Sequence, residues 1–499
     1  MKITLESPVN KYYVQTLGMI FFPGEHFGKK ESEEEREDEP CLTVRSEERE
    51  SEVWAYARID WQGKSCEAEY AAEKKEERTA ERTLKLAVGG AVLAALGERI
   101  GYRPAWGMMI GVRPSKVASE MLNAGISKTR VKKILTSDYL VIPKKAALAT
   151  DIAVTEKRIV GEPSPRDCSV YISIPFCPTR CTYCSFVSYT SKRLLDLIPQ
   201  YLVRLKEDIR SNFELVSRLG LRVRTVYIGG GTPTILNAEQ IRELLSYIAT
   251  LTDVSALDEY TMEAGRPDTI TEEKLAIARE YGVTRVSVNP QSLCDDVLCG
   301  IGRNHTAEEF YRAFEDARRA GIPTVNVDLI AGLPGDNFRR FSATVDGILQ
   351  LNPENITVHT FCVKKSAEIL RLNADVYSVR GGDAGKCVDY SQIKAHQAGY
   401  IPYYMYRQKN TVGNYENVGF SLPGHEGLYN IYMMEEIHSI LAAGAGAVTK
   451  LVDNTGHATD ARTIERLFHQ KYPYEYLEED RSLSFAETAE QFYREHGML

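Results

Sequence analysis

No stretch of the 499-residue chain is apolar for long enough to cross a bilayer. The longest apolar run, LAVGGAVLAAL (86–96), carries two glycines, whereas a spanning helix needs about 20 apolar residues. It reads as a buried helix segment. The opening MKITLESPVNKYYV lacks the basic start and apolar stretch of a secretion signal, so a cytoplasmic location is expected. An excess of positive charge is also missing: 61 Lys and Arg face 69 Asp and Glu, a net charge of −8. That balance speaks against a nucleic-acid surface, because phosphate binding needs a basic field. Apolar content of 43% and charged content of 26% are those of ordinary globular protein.

A fourth cysteine is absent where one would be looked for. Of ten cysteines, Cys41, Cys66, Cys168, Cys294, Cys299, Cys362 and Cys387 are scattered and read as structural thiols, while Cys177, Cys181 and Cys184 cluster in YISIPFCPTRCTYCSF (171–186). Phe186 stands where a Cys-x-Cys ending would place another thiol. Structural zinc wants four ligands, and a bacterial ferredoxin run is spaced x2, x2, x3. This run is spaced x3 then x2. Three thiolates on a four-iron cluster leave one iron open to a small molecule. A partial zinc site is the alternative.

The length suggests two to four domains. Residues 1–150 read as a small α+β domain. Charged stretches 29–40 and 46–52 flank the strand CLTVR, VWAYARIDW is a second strand, and a long helix is expected at about 69–97, ended by Gly97. WGMMIGVRPSK (106–116) is either a binding loop carrying Arg113 and Lys116 or a packed turn with Pro114 opening a helix. From 165 to 385 short strands alternate with amphipathic helices. The strands are SVYISI (169–174), TVYIGG (225–230), YTMEA (260–264), RVSVN (285–289), TVNVDLIAG (324–332) and NITVHTF (355–361). Six βα units imply a parallel sheet, a partial barrel short of the usual eight. Residues 386–499, rich in Tyr and Gly at the start, read as a C-terminal accessory domain.

Polar residues gather at the carboxyl ends of these strands, where barrel enzymes place active sites. GGGTPT (229–234) lets a backbone approach a ligand and present its amides, or is a tight turn. Glu263 ends strand three as an ammonium or ribose ligand, or as a solvated strand end. Gln291, Arg303 and Asp328 follow on later loops, with Arg303 and Asp328 expected to form an opposite-charge pair. Cys362 closes the sixth strand.

The motifs YISIPFCPTRCTYC, GGGTPT, VNPQSL…GIGRNHT and VDLIAGLPGD together resemble the radical S-adenosylmethionine (SAM) proteins of the oxygen-independent coproporphyrinogen III dehydrogenase family, the HemN/HemW/HemZ group. The match covers about 169–365, and over the whole chain the resemblance is to the HemZ branch. It implies an α/β fold with a partial (β/α)6 barrel core. It implies a [4Fe–4S] cluster on Cys177, Cys181 and Cys184, and a SAM touched by Tyr171, Gly230, Glu263, Cys362 and Val448. A second SAM set matches Tyr183, Gly231, Thr232, Gln291, Arg303 and Asp328. No catalytic residue is implied beyond cluster and SAM. The implied partners are a tetrapyrrole substrate and an electron donor such as flavodoxin or ferredoxin. The implied reaction is radical SAM oxidoreductase chemistry, the decarboxylation of coproporphyrinogen III propionates to vinyl groups by a 5′-deoxyadenosyl radical.

Three positions depart from the dehydrogenase or its relatives. Phe186 replaces its further cysteine, as in the haem-carrier branch. Ser173 replaces a histidine. LYNIYMM (428–434) replaces the carrier's His-Asn-x-x-Tyr-Trp. A radical SAM methyltransferase, another tetrapyrrole-modifying enzyme and a haem-binding carrier therefore stand as alternatives.

Overall fold

The computed structural model describes residues 1–23, 39–76, 78–111, 113–184, 186–362, 382–408, 411–455, 463–478 and 482–499. The charged stretch 29–40 therefore lies almost wholly outside the described residues. Two compact units are formed, one by Met1–Val154 with Met405–Glu416, the other from Thr155 through the barrel and including Lys386–Tyr404 and Asn417–Leu499.

In the first unit, strands β1 (Lys2–Leu5), β2 (Cys41–Glu48), β3 (Glu52–Trp61) and β4 (Lys64–Glu73) form a sheet in that order. The helix expected at 69–97 begins only at Ala80 and runs to Ile100. Residues 64–73 are instead the strand β4. The Ala- and Glu-rich KSCEAEYAAE favours helix by composition, but its alternation sends Glu67, Glu69 and Glu73 to solvent and pairs the whole stretch with β3. A hydrogen-bonding neighbour overrides propensity here. Thr79 caps the helix start by accepting from the Arg82 amide, and Gly101 ends it at φ 69, a left-handed angle that suits glycine. Gly97 lies inside the helix. LAVGGAVLAAL is its buried middle, and Pro114 opens the helix Pro114–Asn123.

The second unit is built on β5 (Asp167–Ile174), β6 (Arg222–Gly230), β7 (Glu259–Gly265), β8 (Arg285–Val288), β9 (Thr324–Ala331) and β10 (Asn355–Thr360), all parallel and adjacent in chain order. Helices such as Ile198–Leu219, Ala238–Leu251, Ala307–Arg319 and Phe338–Leu351 make the return crossings. The alternation within each strand is unusual in sign. Val170, Ile172, Val226, Ile228, Met262, Val286, Val325, Val327, Ile356 and Val358 are buried. The intervening positions are polar and bond to neighbours along their own strand or on the adjacent one: Ser169 with Thr225, Asn326 with Asp328 and Thr357. A filled barrel core is apolar; this interior is a polar chamber.

The barrel stays open. Strands β11 (Ile401–Arg407) and β12 (Glu416–Ser421) extend the sheet beyond β10, and β13 (Ser439–Ala443), β14 (Val448–Val452) and β15 (Ile464–Phe468) extend it beyond β5. Residues 386–499 thus supply both edges of one 11-stranded sheet. Below the barrel, the helix Leu428–Glu435 is capped from outside: Glu259, at the start of β7, accepts from the Leu428 and Tyr429 amides at 2.7 and 3.4 Å. No described helix is long and apolar enough to cross a membrane.

Candidate active site at the barrel mouth

The cysteine loop follows β5 and is pinned at several points. The Cys177 amide donates to Tyr189 O at 3.0 Å, Thr182 N to Ile301 O at 3.0 Å, and Cys184 N to Cys181 O at 3.0 Å. Arg266, buried at the end of β7, donates to Thr179 Oγ1 at 2.7 Å, reaches Cys181 Sγ at 4.0 Å, and is itself held by Asp268. Thr232 Oγ1 lies 3.3 Å from Cys177 Sγ. Burial pushes the Cys177 thiol up to about 11, eased by the Thr232 hydrogen bond. Burial also raises Cys184, opposed first by the Phe186 N–H that donates to its sulfur. Thiols raised in this way ionise when a cation binds them. Among the described residues no three His, Cys, Asp or Glu side chains gather closely enough for a single metal ion. Tetrahedral zinc, with bonds of about 2.3 Å, would bring its sulfurs to within about 4 Å of one another.

The glycine loop serves the cysteine loop more than was expected. The Gly231 and Thr232 amides are already committed to Ile174 O and Phe176 O, both at 2.8 Å. A Cβ on Gly231 would stand 2.5 Å from Phe176 O and 3.0 Å from Cys177 Sγ. Gly230 adopts φ 110, and a Cβ there would meet Ser173 Oγ and Ile174 N. Close approach of two backbones, rather than free amides, is what these glycines provide.

Beneath the mouth, midway along β5 and β6, Tyr171 and Tyr227 stack with Tyr429, with Tyr227 and Tyr429 centroids 4.5 Å apart and Tyr171 6.1 Å from each. Glu263 Oε2 lies over Gly229, 3.0 Å from where a Cβ would be. Burial, then the Asp328 charge, raises the Glu263 carboxyl to about 8, with the Tyr227 hydroxyl opposing. Asp328 goes the other way. Burial is the largest single influence and raises it, but the His359 hydrogen bond and charge, with Asn326 and Thr357, together hold it below the usual carboxylate range. His359 Nε2 is 3.7 Å from Asp328 Oδ2.

The expected Arg303–Asp328 pair is not formed. Arg303 donates to Asn289 O at 2.5 Å and faces Tyr183 and Cys181, while Asp328 is met by Asn326 and His359. The two lie on loops that turn toward different neighbours. Gln291 sits at φ 68, strapped to β9 through Asp328 O and Ile330 N, and its buried Oε1 has no partner among the described residues; nor has Arg303 Nε. Strain and unpartnered polar atoms in one mouth suit a ligand. Cys362 ends the described part of the sixth loop. Val448 opens β14, where the loop before it accepts from Ser173 Oγ at Ala445 O, 3.1 Å. The serine that replaces histidine is thereby turned to the sheet edge.

Arg266, Tyr227, His359 and Tyr429 were not singled out from the sequence. The first three carried a signal: Arg266 directly follows the MEAG strand end, and Tyr227 and His359 occupy the interior phase of their strands. Tyr429 carried none, because its place depends on a cap 170 residues away in sequence.

A partial barrel with a three-thiol loop over a polar mouth defines a class, and the comparisons agree. Residues 171–348 match the model of the radical SAM superfamily. The chain is 38% identical over 390 residues to the oxygen-independent coproporphyrinogen-III oxidase-like protein HemZ of Bacillus subtilis, covering 77% of each chain. It is 31% identical over 293 residues to the heme chaperone HemW of Lactococcus lactis, covering 56% of this chain and 69% of that one. The solved coproporphyrinogen III oxidase HemN of Escherichia coli is 22% identical, with a TM-score of 0.49 over 67% of this chain and 73% of that one. The chain belongs to the HemN, HemW and HemZ group of radical SAM proteins. Its cofactors are those of the class, a [4Fe–4S] cluster and SAM. The site fits them: three thiols beside Arg266, a close-packed glycine cradle, and unpartnered polar atoms at the mouth.

Proposed function

We propose that the protein decarboxylates propionate side chains of coproporphyrinogen III to vinyl groups without oxygen. The observation that carries this reading is the 38% identity spread over 77% of both chains with HemZ of Bacillus subtilis, an oxygen-independent coproporphyrinogen-III oxidase-like protein. Cys177, Cys181 and Cys184 would hold the cluster, and Tyr171, Gly230, Glu263, Cys362 and Val448 would surround its SAM. Once bound, the pair would supply a radical that takes one hydrogen from the propionate; loss of CO2, with one electron passed to an acceptor outside the chain, would leave the vinyl group. The chain's own part is orientation and exclusion. The tyrosine stack closes the chamber floor. Glu263 would accept from the SAM amino group, and Arg266 steadies the thiol loop. Gln291, Arg303 and Asp328, with Tyr183, Gly231 and Thr232, form a polar wall for a second SAM or for a substrate carboxylate. Of that set, Thr232 already leans on Cys177 and Gly231 on Phe176, so Gln291 and Arg303 are the better placed.

A second reading, a haem carrier, is favoured by Phe186 in place of a further cysteine and by the 31% identity to HemW. One anaerobic assay separates the two. Reconstituted protein, SAM, reductant and coproporphyrinogen III should give products lighter by one and then two formic-acid equivalents. Absence of those products together with stoichiometric haem binding would assign the carrier role instead.

A further inference from the structure

Arg266 stands directly after β7, and the backbone fixes its place before the side chain is considered. Gly265 turns at φ 69, the Arg266 amide donates back to Ala264 O at 2.8 Å, and Pro267 opens a single 3-10 turn, Pro267–Thr269. The Thr269 amide and hydroxyl both donate to Arg266 O, at 3.0 and 2.8 Å. Residue 266 is thereby clamped from both sides.

The guanidinium then divides its donors. Nε and Nη2 form a fork onto the two Asp268 oxygens, at 3.0 and 2.8 Å. A bidentate pair of this kind fixes orientation as well as charge. The remaining nitrogen, Nη1, is thus aimed at the thiol loop. It donates to Thr179 Oγ1 at 2.7 Å and to Thr179 O at 3.2 Å, and lies 4.0 Å from Cys181 Sγ. The Arg266 side chain is 3% exposed and that of Asp268 20%, so water screens the anion more than the cation.

A second guanidinium reaches the same sulfur, since buried Arg303 also faces Cys181. His305 packs among Arg303, Asp268 and Arg266. Burial, then the Arg303 charge, hold its imidazole down to about 4, so it carries no charge at neutral pH. Two cations and one anion therefore surround Cys181, whereas a hydroxyl meets Cys177 and a backbone N–H meets Cys184. An electron entering a buried centre adds a negative charge, and a fixed cation beside it favours the reduced state.

We infer that Arg266 is a positioning residue that acts through Cys181: it raises the reduction potential of the cluster, and Asp268 both aims it and limits that rise. The two residues form one tuning device of opposite signs. The inference rests on the cofactor reading above, and its test is independent of product formation.

The experiment is a potentiometric titration of the full reconstituted chain, read by electron paramagnetic resonance with iron counted on each sample. Dithionite, through mediator dyes, gives one electron to each cluster, and no bond forms or breaks. At a set potential, Arg266→Gln should lower the ratio of reduced to oxidised cluster by about tenfold, which for one electron is about 59 mV. Asp268→Asn should move the ratio the other way, because the amide removes the anion and leaves the cation in place. Asp253→Asn removes the same charge ahead of β7, at the opposite end of that strand, and should leave the potential at the wild-type value. Simple damage to the loop would shift Arg266→Gln and Asp268→Asn in the same direction, and that result overturns the inference. So does a wild-type potential in iron-loaded Arg266→Gln. If Arg266→Gln fails to take up iron, Asp268→Asn decides alone: a raised ratio supports the inference, and an unchanged or lowered one overturns it. Opposite shifts in a protein that makes no decarboxylated product would count against the proposed reaction and leave this inference standing.

Discussion

Glu263 and Asp328 share one chamber and are driven apart in acidity. Glu263 rises to about 8 through burial and the Asp328 charge, and Asp328 is held down by His359 and its neighbours. Such splitting assigns roles: a neutral acid awaiting a cation beside a standing carboxylate. Below about pH 8 the free protein carries Glu263 protonated, so if Glu263 receives the SAM amino group as proposed, ionising it releases a proton. SAM affinity should therefore rise with pH between about 6 and 8, the Glu263 share amounting to at most about tenfold per pH unit. Glu263→Gln has no proton to release, so its pH slope should be shallower by that share and its affinity at pH 8 lower. Titrations of SAM into both proteins across this range measure the difference; equal slopes would remove Glu263 from the SAM site. At this scale the sequence was informative about identity but not about partners. The spacing of the cysteines and the polar strand ends were visible. That Arg303 turns to Asn289 and Asp328 to His359 was not, because pairing depends on loop direction rather than on charge order.

Elements show the same division. The six barrel strands lie where alternation and flanking turns put them, because each is short, β-branched and bounded by Gly, Pro or Asn. The strand β4 was misread because its residues favour helix locally and only its partner β3 makes it a strand. Two substitutions test how elements hold the site. Gly231→Ala would drive a Cβ into Phe176 O and toward Cys177 Sγ. It should sharply lower iron content after reconstitution while leaving far-ultraviolet circular dichroism unchanged. Full iron loading in this variant would mean that the loops are not in the close contact described. Glu259→Ala leaves the Leu428 and Tyr429 amides without their buried acceptor. It should cost about 1–3 kcal/mol, read as a lower urea midpoint with an unchanged slope. A midpoint equal to wild type would show that the helix Leu428–Glu435 does not depend on this cap.

For the molecule as a whole, the open barrel is completed by residues from beyond the core. Strands β11 and β12 extend one edge, β13 to β15 the other, and Tyr429 rises from below into the tyrosine stack. The sequence signalled a change of texture near residue 386 and suggested a separate domain. It could not signal that these strands join the same sheet, since strand neighbours far apart in sequence leave no local pattern. The resulting chamber is polar within and apolar toward its helices, and its mouth is covered by a three-thiol loop. The central claim is that this mouth is a single site for a three-thiolate cluster and SAM. Electron paramagnetic resonance of the reconstituted, singly reduced protein, before and after SAM is added and with iron counted on the same sample, tests it most directly. The account predicts about four irons per chain, a cluster signal that shifts when SAM binds, and neither cluster nor signal in Cys181→Ala. Stoichiometric zinc with no iron, or a cluster signal indifferent to SAM, would contradict it.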